Sequence, residues 1–204
     1  MKRLGIYGGT FAPVHKGHIE SAKAFLDSSL IDELRIIPTA ISPHKKMQCN
    51  DNPDDRLNML RIAFSELEEK YRERLIIDPY EILRGGKSYT VLTVKHYLNE
   101  YSGITLLCGS DMFLTLESWY HGEELLRMCS FAYDARDVGE DTALAEKAEY
   151  YAGKYGTRCT PLRKGITRIS STELRGMIGR GEETEKYLPQ KVREYIDEHG
   201  LYRA

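Results

Sequence analysis

"LGIYGGTFAPVHKGH", Leu4 to His18, begins as a short apolar run, turns on Gly8 and Gly9, and ends on two histidines three residues apart. A short apolar run stopped by glycines predicts a buried strand and a tight turn. Beyond His18 the period changes. Ile19, Ala22, Phe25 and Leu26 recur at helical spacing, which predicts a helix to about Ser28. "ELRIIPT" then supplies a second apolar run, Leu34 to Ile37, stopped by Pro38. Strand, glycine turn, helix and strand make a βαβ unit, with a right-handed crossover and a parallel sheet.

The alternation continues along the chain. Asn52 and Pro53 predict a helix start, with Asp54 and Asp55 complementing its dipole. "RLIIDP", "ITLLCG", "SFAYDA" and "TRCTPL" read as further strands. "SYTVLTVKHYLNEY", capped by Ser88, reads as a helix, as do "SDMFLTLESWY" and Asp141 to Tyr155. "STELRGMI" and "PQKVREYIDEH" read as terminal helices, and residues 170–204 as a C-terminal helical subregion of one domain over 1–204. The predicted class is α/β, a Rossmann-like open parallel sheet with helices on both faces. Ligands bind such sheets at the carboxyl ends of the strands, near the point where strand order reverses. The loops to inspect are therefore Gly8 to His18, Thr39 to Asn52, Gly109 to Asp111, and the approach to Ile169.

Bulk properties narrow the classes. The 204 residues carry 29 basic and 31 acidic side chains, a net charge of −2, so no broad basic field is available for nucleic acid. Neither a signal peptide nor a stretch of membrane-spanning length is visible. Cys49, Cys108, Cys129 and Cys159 are scattered with no C-x-x-C pair, which predicts free thiols and a cytoplasmic chain.

Each loop carries a chemical reading beside a plainer one. Gly8 and Gly9 lack side chains, so a ligand can approach the backbone, and the helix that follows aims free N–H groups and a positive dipole end at that space. His15 and His18 lie on nearly the same helix face. A zinc site needs more ligands than the sequence places near them, a phosphate site fits better, and a helix-capping surface pair is the plain alternative. "GKS" at Gly86 to Ser88 lacks the first glycine of a P-loop, since Glu81 stands there. Lys45 and Lys46, in a polar loop long enough to act as a lid, are either solvated or phosphate-neutralising. Asp111 after Gly109 can cap a helix or accept a ribose hydroxyl. Trp119, the single tryptophan, is a core anchor or a stacking platform. Ser170, Ser171 and Thr172 open a second helix with Arg175 one turn in, either a plain capped start or a second anion site. Two anion-binding helix starts suggest a ligand with several phosphates, such as ATP.

Two of these stretches carry a family pattern. "GGTFAPVHKGH" resembles the (T/H)xGH loop of the nucleotidyltransferases, and "ISSTELR" resembles their ISSTxxR motif. "PHK" at Pro43 to Lys45, "SYT" at Ser88 to Thr90, "GSD" at Gly109 to Asp111 with Trp119 beyond it, and the ending "YLPQKVREYIDEHGLY" extend the resemblance over nearly the whole chain. They point to the branch of bacterial nicotinate-nucleotide adenylyltransferases. The resemblance implies transfer of the adenylyl group of ATP to the 5′-phosphate of nicotinate mononucleotide, giving deamido-NAD and pyrophosphate. Mg²⁺ would ride on the ATP phosphates, with no dedicated protein cage. It also implies roles. His15, His18 and Arg175 would be catalytic. Gly8, Gly9, Thr10, Phe11, Gly109, Asp111, Ser171 and Thr172 would join them around ATP. Lys45 would touch phosphate, and Tyr89, Thr90 and Trp119 would hold the nicotinate nucleotide. The partners are these small molecules, with no nucleic acid or membrane, and a homo-oligomer is allowed.

Two departures are visible. Ala12 stands where the family usually has aspartate, and Arg136-Asp137-Val138 replaces its usual "RPG". The alternatives are another adenylyltransferase of the same kind, acting on nicotinamide mononucleotide or pantetheine phosphate, and a non-catalytic ATP sensor. A class I aminoacyl-tRNA synthetase has a similar histidine loop, but the chain is short and lacks a lysine loop of that kind.

Overall fold

The structure, a computed structural model, describes residues 1–43, 52–134, 140–162 and 167–203. Six parallel strands form one sheet: β1 (Arg3–Gly9), β2 (Glu33–Pro38), β3 (Leu75–Ile77), β4 (Gly103–Gly109), β5 (Ser130–Asp134) and β6 (Cys159–Leu162). Their spatial order is β3-β2-β1-β4-β5-β6. The chain moves outward from β1 to β3, then returns to pair β4 with the other side of β1. The order therefore reverses between β1 and β4, where the crevice of such a sheet opens.

Both faces of the sheet are covered. One core gathers Tyr7 of β1, Leu34 and Ile36 of β2 and Leu107 of β4 beneath α1 (Lys16–Asp27), α2 (Pro53–Ser65) and α10 (Gln190–Glu198). The other gathers Leu4 and Ile6 of β1, Leu106 of β4, and Phe131 and Tyr133 of β5 beneath α5 (Thr90–Tyr97), α7 (Gly122–Met128) and α8 (Glu140–Tyr155). Neighbouring residues of a strand serve opposite cores, as the two-residue side-chain period requires. The remaining helices are α3 (Glu69–Arg72), α4 (Tyr80–Arg84), α6 (Ser110–Phe113) and α9 (Ser171–Gly179). On α10, Val192 and Ile196 are buried, and Tyr195 donates to Asp55 Oδ1 of α2 at 2.8 Å.

Two local expectations change. Ser88 does not cap α5: Tyr89 is the N-cap, and the Ser88 hydroxyl accepts the Ala40 N–H at 2.8 Å. "SDMFLTLESWY" is not one helix. It splits into α6 and a 3₁₀ turn at Leu116–Ser118, and a separate α7 follows. The break has a steric cause. His121 adopts the left-handed conformation, and a Cβ on Gly122 would lie 2.1 Å from the Leu116 carbonyl oxygen, so the chain doubles back too closely for a continuous helix. The predicted helix starts at Asn52 and Ser170 hold. Asn52 Oδ1 accepts from the Asp54 N–H, and Ser170 forms a reciprocal capping pair with Glu173. Cys108, Cys129 and Cys159 are free. Cys49 and Arg136-Asp137-Val138 lie outside the described residues, as do Lys45, Lys46 and most of the loop after Ser42 and Pro43.

Candidate active site

The two glycines of the opening turn serve different ends. A Cβ at Gly8 would meet nothing within 4 Å, so this backbone lies open. A Cβ at Gly9 would lie 2.9 Å from the Phe11 ring. Phe11 is buried, holds a left-handed backbone (φ 52°), and packs edge-on against Tyr7 and His18. The turn is thus wound around an aromatic side chain rather than left hollow.

His15 and His18 meet at the start of α1. Their rings stack with centroids 3.6 Å apart. The backbone N–H of His15, the N-cap residue, donates to His18 Nδ1 at 3.2 Å. A nitrogen that accepts cannot carry the proton, so a neutral His18 is protonated on Nε2. The capping reading and the ligand reading are therefore compatible: Nδ1 serves the helix start, and the opposite nitrogen keeps a donor.

Gly17 explains the spacing of the pair. A Cβ there would lie 2.6 Å from the Thr167 carbonyl oxygen and 3.1 Å from His15 Nδ1. Its absence lets the segment before α9 lie against α1. Glu20 fastens that segment, accepting from the Thr167 hydroxyl at 2.9 Å and the Thr167 N–H at 2.5 Å. Ser171 Oγ then donates to the Pro13 carbonyl at 3.0 Å, and Arg175 Nη1 to the Ala12 carbonyl at 2.6 Å. Arg175 Nη2 reaches Thr172 Oγ1 at 3.2 Å. The two stretches singled out in the sequence, 150 residues apart, are stitched into one structure by these bonds.

From this edge a cleft of about 160 Å³ runs along the carboxyl ends of β1 and β4. Gly8, Gly9 and Thr10 form one side. Tyr89, Thr90, Trp119 and Tyr120 form another, and Tyr89 stacks on Tyr120 with centroids 4.1 Å apart. Trp119 is half-buried, packed against the second core and lining the cleft. Cys108, on the floor, has its thiol pushed up to about 12 by burial and by Asp134, and stays an inert thiol. Gly109 ends β4 and is the N-cap of α6, while Asp111 is exposed and does not cap that helix.

Four positions in and around the site escaped the sequence. Arg56 is fully buried on α2, and its Nη1 donates to the carbonyls of Thr10 at 3.1 Å and Thr39 at 2.7 Å, tying the opening turn to the end of β2. Asp134, buried at the end of β5, accepts from Ser21 Oγ of α1 at 2.6 Å. Glu81 lines the cleft and is buried, with its carboxyl pushed up chiefly by that burial. Tyr120 adds an aromatic face. A charged residue among Leu57, Met59 and Leu60 gave a faint signal for Arg56; the others had none.

Among the described residues, no three His, Cys, Asp or Glu side chains gather closely enough to hold a metal ion, and no helix is long and apolar enough to cross a membrane. The site's donors are imidazole, guanidinium, hydroxyl and backbone N–H, a set suited to phosphate oxygens.

Comparison with known proteins places the chain in a family. The cytidylyltransferase-like family model matches residues 6–177. A probable nicotinate-nucleotide adenylyltransferase of Clostridium tetani is 31% identical, with all of both chains covered. Another from Synechococcus sp. is 33% identical over 98% of this chain and 95% of its own. A solved structure of Plasmodium falciparum nicotinic acid mononucleotide adenylyltransferase complexed with NaAD superposes with a TM-score of 0.76 at 20% identity. It covers 99% of this chain and 98% of its own, a likeness of fold. With its histidine loop and its ISST segment inside the matched span, the chain belongs to the cytidylyltransferase-like family, among its nicotinate-nucleotide adenylyltransferases.

Proposed function

We infer that the protein transfers the adenylyl group of ATP to the 5′-phosphate of nicotinate mononucleotide. The observation that carries this is the stitching of α9 to the opening turn through Ser171, Arg175 and the carbonyls of Pro13 and Ala12. It joins two phosphate-binding helix starts beside a cleft whose far end is aromatic.

In this proposal ATP lies with its adenosine over Gly109 and Asp111 and its phosphates between the two helix starts. Gly8, Gly9 and Thr10 present backbone to it, and buried Phe11 shapes that backbone. Ser171, Thr172 and Arg175 hold the β and γ phosphates. The pyridine ring stacks at Trp119, with Tyr89 and Thr90 around its substituent. The nucleotide's 5′-phosphate oxygen attacks the α-phosphorus, and the bond to the bridging oxygen breaks, releasing pyrophosphate. Catalysis comes from alignment and from donors aimed at developing charge. His18 Nε2–H and His15 supply those donors. Mg²⁺ enters as the ATP complex, held on phosphate oxygens. Lys45 is proposed as a further phosphate contact.

The test is pyrophosphate release from ATP with nicotinate mononucleotide, nicotinamide mononucleotide or phosphopantetheine as acceptor. Release is expected with the pyridine nucleotides and greatest with nicotinate. Release with phosphopantetheine alone, or with none, overturns the proposal.

A further inference from the structure

The wall of the pyridine end holds a carboxyl group for which the transfer has no use. Glu81, on α4, lines the cleft beside Ser88, Tyr89 and Thr90 and is 5% exposed. Its Oε1 accepts from Thr93 Oγ1 of α5 at 2.5 Å. Its Oε2 is buried and has no partner of hydrogen-bond geometry among the described residues. A buried carboxylate lacking partners is costly, so such a group favours its acid form. The nearby hydroxyls of Thr93 and Ser88 and the charge of Arg84 offset burial in part.

The neighbouring charges are engaged elsewhere. Arg84 Nη2 donates to the Lys87 carbonyl at 2.7 Å. Arg35 of β2 pairs with Asp78, at the end of β3. On α5, one turn beyond Thr93, the His96 ring stacks on Tyr80 at 4.0 Å. Ser88 Oγ accepts the Ala40 N–H and keeps its own hydrogen to donate, so it stays a neutral partner for Glu81. Of these, Arg84 alone acts on a charge at Glu81, and it offsets burial only in part.

A substrate whose ring carries a carboxylate places a second negative group at this end. The inference rests on the adenylyl-transfer reading of the same cleft. We propose that Glu81 is a specificity-determining residue for the pyridine nucleotide, acting through its charge from within the wall: as the acid it is neutral and lets the ring carboxylate lie against that wall. As the carboxylate it repels that group, in a wall where the low dielectric makes repulsion strong, and a neutral ring amide gains by comparison.

The experiment measures kcat/KM for nicotinate and nicotinamide mononucleotides from about pH 5 to about pH 9. Their ratio is read, or the ratio of inhibition constants where the amide is not turned over. Titration of the shared 5′-phosphate, of ATP and of the loop histidines cancels in this ratio, as does any loss of folded enzyme. The acid-to-amide ratio should fall by about tenfold per pH unit above the ionisation of Glu81, one proton being lost. Glu81→Gln keeps the shape without the charge, and its ratio should stay level. His96→Gln should keep the fall. A level ratio in the unmodified protein, an equal fall in Glu81→Gln, or loss of the fall in His96→Gln overturns the proposal. Should Glu81→Gln not fold, Thr93→Val removes a bond that favours the carboxylate. The fall must then move to higher pH, and an unmoved fall is equally fatal. Absence of pyrophosphate with either nucleotide at every pH overturns the transfer reading itself, a result distinct from active enzyme with a level ratio.

Discussion

The two ends of the cleft are built in opposite ways. At the end proposed for the phosphates backbone is gripped: the carbonyls of Thr10 in the turn and of Thr39 after β2 by Arg56, of Ala12 by Arg175, of Pro13 by Ser171. At the end proposed for the pyridine, aromatic faces stand half open, Tyr120 being 50% exposed, and Glu81 Oε2 is buried without a partner among the described residues. One end arrives at its working shape before a ligand enters, as stabilisation of developing charge requires. Arg175 Nε at the gripped end is also unpartnered among the described residues, so the contrast lies in backbone held at one end against open aromatic faces at the other, and in the proposed reaction discrimination between similar rings depends on the latter. Damage at the first end should fall on the rate, and damage at the second on the choice of substrate.

The sharpest way to break this contrast is His18→Ala. Removing one preorganised donor to a transition-state charge lowers kcat by about 10²–10³-fold. Steady-state kinetics should show that fall with both KM values nearly unmoved. A raised KM at unchanged kcat would make His18 a ground-state contact.

Gly17→Ala tests the stitching rather than the chemistry. Alanine is favoured over glycine in a helix by about 1 kcal/mol. Here, though, the added methyl would sit 2.6 Å from the Thr167 carbonyl, a backbone atom that cannot swing aside. Overpacking of that kind costs about 1–3 kcal/mol. The expected outcome is a lower melting temperature and a raised KM for ATP, with the KM for the pyridine nucleotide unchanged. A stabilised protein with normal ATP binding would mean that the segment before α9 is not held as described.

Trp119→Ala probes the other end. Loss of a stacking face worth about 1.4 kcal/mol raises the KM of the pyridine nucleotide roughly tenfold. The KM for ATP should not change. An effect confined to ATP would move the indole out of the pyridine site.

Much of this was legible in the sequence because it is local. The period change at His18, the Asn52-Pro53 start and the Ser170–Glu173 capping pair each act within a few residues. What was hidden is non-local. The order β3-β2-β1-β4-β5-β6 is a set of pairings between distant segments, which no local pattern carries. Ser88 has the chemistry of a cap, yet the Ala40 N–H, 48 residues away, takes its oxygen. Arg56 binds the carbonyls of Thr10 and Thr39, 46 and 17 residues away, partners that no local pattern names. The histidine and ISST stretches could be named from the sequence, but that Arg175 holds the Ala12 carbonyl is a fact of packing.

Ala12 gives the smallest and most discriminating prediction, because it bears on how the gripped end is gripped. The residue is 3% exposed, and its carbonyl is the acceptor for Arg175 Nη1. Arg175 Nε is buried with no partner among the described residues. An aspartate at this position, the residue its relatives usually have, adds an acceptor beside that guanidinium. Burial of the new carboxylate works against the gain, so the net effect of Ala12→Asp should be a stabilisation of no more than about 1 kcal/mol. Its pH dependence identifies the cause. A carboxylate paired with arginine has its folded pKa below the unfolded value, so the gain is present at neutral pH and disappears as pH falls through the folded pKa. Melting curves of the two proteins should differ at neutral pH and merge in acid. A difference that persists in acid would assign the effect to packing, and a loss at neutral pH would mean that the guanidinium lies out of reach and the carbonyl alone suffices to hold it.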